Sequence, residues 1–303
     1  KECQKNDWKY HKNECPLYRH ECIETLLSDN DIRFWLRLYL SVQNIPNFAT
    51  KKYRLFDGSD VSLRDIEVKD IIVNENERRD QLEDIYGIFR RLGVDYDPRE
   101  VVHCIKHTNV VKNLIKNSTF LKSNLRVGII GRGLYIQYIV LRHSCQPNSA
   151  FIFNCRGLSK ELRAMRPIAA GEEITVALVP LFQKRADRQQ ALKAYSIVCE
   201  CDKCVHHLDR RVDYTRLTPT TFFPHNVFGK QLLNYWRQLS PDLDVVFGQY
   251  YPLKTMILMQ FFMQLSKCPL ICESVSNEFN AILMKSIDVT LPDRSDFKFG
   301  SVI

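Results

Sequence analysis

Two stretches of the sequence combine reactive residue types at spacings that suit a defined chemistry. "LRHSCQPNSAF" (141–151) places an arginine, a histidine, a serine and a cysteine ahead of a proline turn, and "CECDKC" (199–204) places three cysteines as C-x-C-x2-C. Three thiolates this close can occupy three positions around one tetrahedral zinc ion from a single tight turn. A fourth donor is needed, and Cys145 is the best placed, because it lies in the Pro-containing "HSCQPN" turn rather than in mid-strand. A site closed by Cys145, Cys199, Cys201 and Cys204 is structural, since no coordination position remains for a substrate. The alternative is that these are plain reduced thiols. Cys22, Cys104, Cys155, Cys268 and Cys272 stand apart and read as small buried hydrophobes. The opening "KECQKNDWKYHKNEC" is compact, polar and rich in metal-ligand types, with Cys3, His11 and Cys15; read alone it is also compatible with a polar surface turn.

These residues must be positioned by recognisable elements. In "SDNDIRFWLRLYLSVQ", Ser28 is an N-cap candidate, and Ile32, Trp35, Leu36 and Tyr39 recur at helical spacing. In "NENERRDQLEDIYGIFRRLG", Leu82, Ile85, Tyr86, Phe89 and Leu92 make a second stripe that Gly93 is placed to end. The pattern is again helical from about Val101 to Asn117. From Phe120 to Ala177 short β segments follow, among them "RVGIIGRGLYIQYIVL", "SAFIFN" and the Gly-turn strand in "RPIAAGEEITVALV". "KRADRQQALKAY" is a helix leading into the cysteines. Beyond Val205 the chain reads as mostly helical, with stripes in "GKQLLNYWRQL", "LKTMILMQFFMQL" and "NEFNAILMKSI". "GIIGRG" (128–133) is a weak dinucleotide fingerprint, since no βαβ unit surrounds it.

Composition excludes several classes. The chain has 303 residues, long enough for about two domains, and 45% of them are hydrophobic, which argues against disorder. Its net charge of +8 is scattered rather than gathered into a stripe with interleaved aromatics, so direct nucleic-acid binding is not expected. No apolar run reaches the roughly 18 residues of a membrane span; "LKTMILMQFFMQL" is broken by Lys254, Gln260 and Gln264 and reads as an amphipathic helix. Eleven cysteines without a secretory leader at the start point to a reducing compartment. The chain begins at Lys1 and is read as a piece of something longer.

"LRHSCQPNSAF", then "GEEITVAL", then "CECDKC" resembles the SET domain of the SET and MYND family of protein-lysine methyltransferases, whose strings run near NHSCxPN, GEELTxxY and CxCxxC. "CQKNDWKYHKNEC" is similar to the second half of that family's MYND zinc finger, with Cys3, His11 and Cys15 as the closing ligands of incomplete zinc sites. The resemblance spans roughly residues 1–204. It implies an α+β fold with a SET-type β core, a helical insert, a partial MYND finger and an all-helical C-terminal domain. The expected division is 1–15 finger half, 16–116 helical linker and insert, 117–180 SET core, 181–204 post-SET helix and cysteine cluster, and 205–303 helical domain.

The resemblance also implies function: S-adenosylmethionine as methyl donor, zinc at the cysteines, and a protein lysine as substrate, on histone tails or other proteins. A monomer in the nucleus or cytoplasm is expected. By the same resemblance Asn117, Arg142, His143 and Ile197 fall at the cofactor, and Tyr195 falls in the substrate channel as the candidate catalytic residue. The chain departs from the family pattern where chemistry is done. Arg142 replaces the asparagine of NHSC, Leu178 replaces the tyrosine of GEELTxxY, and Ile197 replaces an aromatic residue expected to stack on adenine. The family's Gly-x-Gly cofactor loop and the first half of its finger are absent from this sequence. Two readings follow: an active protein-lysine methyltransferase, or a catalytically inactive relative acting as a protein-interaction adaptor.

Overall fold

The computed structural model describes residues 2–20, 30–66, 75–102, 104, 112–121, 124–154, 159–193, 195, 197–217, 229–265 and 273–290. Ser28, Cys22, Cys155, Cys268 and Cys272 lie outside them. The chain divides into two units. One comprises Lys1–Lys116, Ile129–Val140 and Ala194–Ser196; the other comprises Asn117–Gly128, Leu141–Lys193 and Ile197–Ile303.

The first unit opens with helix α1 (Glu2–Glu14), so the polar opening is a helix rather than a surface turn. Helix α2 (Asn30–Asn44) buries Trp35, Leu36 and Tyr39 on the face their spacing defines, with Ile32 packed at its margin. Helix α3 (Glu75–Arg91) buries Ile85, Phe89 and, just beyond its end, Leu92 against the same cluster. Each such side chain contributes about 1.5–3 kcal/mol on burial. Gly93 stops α3: its φ of +64° suits a residue without Cβ, and the Val94 N–H reaches back to the Phe89 carbonyl at 2.9 Å. A two-strand ladder, β1 (Tyr53–Arg54) with β2 (Asp60–Val61), completes this core with Leu55, Leu63 and Ile136.

The helical reading of 101–117 is only partly right. Residues 98–102 are helical, but from Lys112 the chain is in strand β3 (Lys112–Leu121), paired with β4 (Asn124–Leu134). A partner strand supplied from outside the local window overrides the local periodicity.

In the second unit, β5 (Arg142–His143) runs parallel to β8 (Thr175–Val176), while β6 (Ser149–Asn154) pairs antiparallel with β7 (Ser159–Ala164). Asn148 fastens β8 to the turn before β6. Its Oδ1 accepts the Thr175 N–H at 2.9 Å, and its Nδ2 donates to the Glu173 carbonyl at 2.7 Å and to Glu172 Oε1 at 3.1 Å. Helix α4 (Arg185–Lys193) and the short α5 (Asp202–Val205) flank the cysteine run. Helices α6 (Gly229–Phe247), α7 (Pro252–Leu265) and α8 (Glu273–Thr290) follow. Their buried residues, Leu239, Leu243, Phe261 and Leu283 among them, form one apolar cluster with Cys145, Cys199 and Cys204.

Helix α7 corrects the amphipathic reading of "LKTMILMQFFMQL". Residues Lys254 to Met259 are buried in succession, which no one-sided helix allows. It is a central helix, and the charge that interrupts its sequence is met locally: Lys254 pairs with Asp244 and donates to the Gln249 carbonyl at 3.1 Å. Among the described residues no helix is long and apolar enough to cross a membrane.

Candidate metal centre and its surroundings

Four cysteines converge in the second unit. The sulfurs of Cys145, Cys199, Cys201 and Cys204 all lie within 4.8 Å of one another, with Cys145 and Cys204 at 3.5 Å. A tetrahedron of thiolates at the usual zinc–sulfur distance of about 2.3 Å has edges of about 3.8 Å. The cluster therefore fits one tetrahedral ion without rearrangement of the chain.

Local structure explains how the sequence achieves this. Cys145 follows β5, whose parallel pairing with β8 is extended by the Ser144 N–H to the Val176 carbonyl at 3.0 Å. Cys199 is fixed by α4, since Gln189 accepts its N–H at 3.2 Å and donates to its carbonyl at 2.8 Å. Cys201 caps α5, accepting the Cys204 and Val205 N–H groups at 2.8 and 2.9 Å, which folds the last two cysteines onto one side. Cys145 and Cys204 are completely buried, so the ion would be held away from solvent.

The thiols perturb one another. Hydrogen bonds with Cys199, Cys201 and Cys204, and then burial, push the Cys145 thiol far above its ordinary range. Hydrogen bonds with Cys145, Cys201 and Cys204 hold Cys199 far below it. A divalent cation converts such a set to four thiolates and releases protons as it binds. Nearby, burial and then the Arg188 charge push Lys203 down to about 8, and its ammonium donates to the Val246 carbonyl at 2.8 Å.

Arg142 is exposed, its Nε 3.0 Å from Glu173 Oε1. The His143 ring accepts the Leu178 N–H at Nδ1 (3.0 Å), and its Nε2 lies 3.3 Å from the Cys145 sulfur. Ile197 packs at the margin of the apolar cluster. Asn117 is on β3, with its side chain outside the described residues. Tyr195 belongs to the first unit and is partly exposed, 39% accessible.

Cys3 and His11 both lie on α1, eight positions apart, and Cys15 follows it. His11 approaches Glu14 at 3.5 Å and packs against Tyr18. Cys104 is buried and its thiol is pushed up to about 12 by desolvation, the behaviour of a small hydrophobe.

Sequence reasoning missed Arg188, which is completely buried on α4 beside the sulfurs. One signal was available. Arg188 stands four residues before the buried Leu192, so it occupies the inward face of an otherwise polar helix.

The SET domain family model matches residues 58–177. The histone-lysine N-methyltransferase SMYD3 of Homo sapiens is 26% identical over 203 residues, covering 67% of this chain and 45% of that protein. The histone-lysine N-methyltransferase ASHR1 of Arabidopsis thaliana is 27% identical over 209 residues, 67% of this chain and 40% of that protein. The N-lysine methyltransferase SMYD2-B of Danio rerio is 25% identical over 216 residues, 67% and 44% respectively. The chain thus spans somewhat less than half the length of the curated relatives it matches.

Proposed function

We propose that this chain, similar over its SET match to the SET and MYND family of protein-lysine methyltransferases, carries the scaffold of an S-adenosylmethionine-dependent protein-lysine methyltransferase, with zinc at its four cysteines. The observation that carries this reading is the convergence of Cys145, inside the SET match, with Cys199, Cys201 and Cys204 beyond its end. The substrate class is a lysine on a histone or another protein, as the names of the relatives suggest. Cys3, His11 and Cys15 are the candidate ligands of a MYND-like zinc finger.

When bound, the cofactor supplies an electrophilic methyl group. The chain's own residues have to present a lysine amine without its proton, against a free value of about 10.4, and hold it in line. Tyr195 is the candidate for the substrate channel. Leu178 offers only a backbone N–H, and that group is bonded to His143.

A second reading, a protein-interaction adaptor without activity, is favoured by one specific arrangement. At the two positions where the family's asparagine and tyrosine fall, Arg142 turns to Glu173 and Leu178 has no hydroxyl.

The two readings separate by calorimetric titration of S-adenosylhomocysteine into the full-length zinc-loaded protein, followed by transfer of a radiolabelled methyl group to histone and non-histone proteins. Micromolar binding with label on lysine supports the enzyme. No binding by a folded, metal-loaded sample overturns the enzyme reading and leaves the adaptor.

A further inference from the structure

Two N–H donors that are not cysteines converge on the Cys145 sulfur. Arg188 on α4 directs Nε to it at 3.2 Å and sets Nη2 at 4.0 Å from the Cys204 sulfur. His143 on β5 places Nε2 at 3.3 Å. Because the Leu178 N–H donates to Nδ1 at 3.0 Å, that nitrogen is an acceptor, and the ring's N–H is on Nε2, facing the sulfur.

The guanidinium is held from its far edge as firmly as from its near one. Nη2 lies 2.8 Å from Asp209 Oδ2, and Nη1 donates to the Tyr214 hydroxyl at 3.1 Å and to the Gln183 carbonyl at 2.5 Å. The Tyr214 hydroxyl in turn donates to Asp209 Oδ2 at 2.5 Å. A buried cation is tolerated only when paired and hydrogen-bonded, and every edge of this one is used.

We propose that Arg188 and His143 are positioning residues of the metal centre, holding the Cys145 sulfur through N–H···S bonds and drawing off part of the negative charge that four thiolates bring into a buried site. Four thiolates around a divalent ion leave a net negative charge, and a guanidinium in contact with one sulfur offsets it where water cannot. The same bonds fix the direction of the Cys145 side chain from two elements, α4 and β5. Cys145 is then the ligand whose sulfur is least electron-rich, and Arg188 ties its orientation to Asp209 and Tyr214 beyond α5.

This inference rests on the metal reading above, and the test separates the two. Full-length wild type, Arg188→Lys, His143→Phe and Tyr214→Phe are compared for Zn2+ affinity, by competition with a chromophoric chelator, and for the sulfur-to-cobalt charge-transfer band after loading with Co2+. Arg188→Lys keeps the charge but loses the planar donor. Its Zn2+ affinity falls by about 10- to 100-fold, the usual effect of removing a group that orients a metal ligand. Its cobalt band moves to lower energy, because a sulfur without its hydrogen bond is more easily oxidised. His143→Phe shifts both readouts the same way, and Tyr214→Phe, which leaves the Arg188 contact to sulfur, gives a smaller loss.

Unchanged affinity and an unmoved band in Arg188→Lys and His143→Phe would overturn the proposal; a purely packing role would lower the stability of the metal-free protein and leave the band in place. If Arg188→Lys does not fold, His143→Phe and Tyr214→Phe decide on the same two readouts. Wild type that takes up neither Zn2+ nor Co2+ removes the metal reading itself, whereas wild type that binds them no more tightly than its variants removes only this one.

Discussion

The Arg37 guanidinium on α2 places Nε 3.3 Å from a carboxylate oxygen of Glu14 on α1, where the Glu14 side chain is only 3% exposed. The contact is an ion pair rather than a well-directed hydrogen bond, and both Glu14 oxygens are otherwise without a hydrogen-bond partner among the described residues. Arg37 also bonds Asp7, so one side chain pins two turns of α1. Arg37→Ala leaves the buried Glu14 carboxylate with only the 3.5 Å approach of His11, and is expected to destabilise the first unit by roughly 1–3 kcal/mol. Asp7→Asn removes a half-exposed partner and is expected to cost less than about 1 kcal/mol. Urea unfolding of the two variants, followed by tryptophan fluorescence, checks the order; equal losses would refute it.

Removing one sulfur tests the four-cysteine site directly. Cys145→Ser should lose bound zinc, read by elemental analysis after dialysis against a mild chelator. Cys104→Ser should keep it, because that thiol lies in the other unit, in the core of α2 and α3. Retention of full zinc by Cys145→Ser would exclude it as a ligand.

Leu178→Tyr tests the enzyme reading by gain rather than loss. One well-placed polar group at a reacting centre is worth on the order of 10²–10³ in rate. Methyl transfer by the variant is therefore expected to exceed that of wild type by about that factor, in a radiolabel assay with saturating substrate. A variant that binds S-adenosylhomocysteine yet transfers no faster would show that residue 178 is not where the missing hydroxyl belongs.

A pH dependence follows from Glu172. Hydrogen bonds from Arg166, then Asn148 and the Ala169 N–H, lower its carboxyl from 4.5 to about 2. A depressed folded-state value means that its contribution is fully present above the unfolded value and is lost as pH falls through the folded one. The stability difference between wild type and Glu172→Gln should thus be constant above pH 5 and shrink progressively below about pH 4.5. Chemical denaturation at pH 6, 4 and 3 measures it, and a gap that widens on acidification would contradict the assignment.

Where a segment's structure is set by its own side chains, the sequence was enough. The α2 stripe of Trp35, Leu36 and Tyr39 and the stop at Gly93 are local decisions, settled by period and by a positive φ. The C-x-C-x2-C run likewise states a geometry within six residues, and Cys145 joins it because the β5 to β8 pairing brings a distant turn alongside. What was hidden depends on partners beyond the stretch being read. Residues 112–117 read as helix until β4 is supplied, and α7 read as amphipathic until elements on more than one side cover it. Arg188 looked like any surface arginine of a polar helix, because the sulfurs and the carboxylate that justify its burial are 43 residues upstream at Cys145 and further along at Asp209. The cofactor-side residues are legible only as family positions.

Cys145, Cys199 and Cys204 sit in the same apolar cluster as the inward faces of α6, α7 and α8. An ion bound at these cysteines would therefore be coupled to the folding of those helices. Each tenfold rise in free ion above the dissociation constant adds about 1.4 kcal/mol to the folded state. With an ion held there, the second unit would act as a gauge of the metal around it, firm where the ion is plentiful and prone to opening where it is scarce.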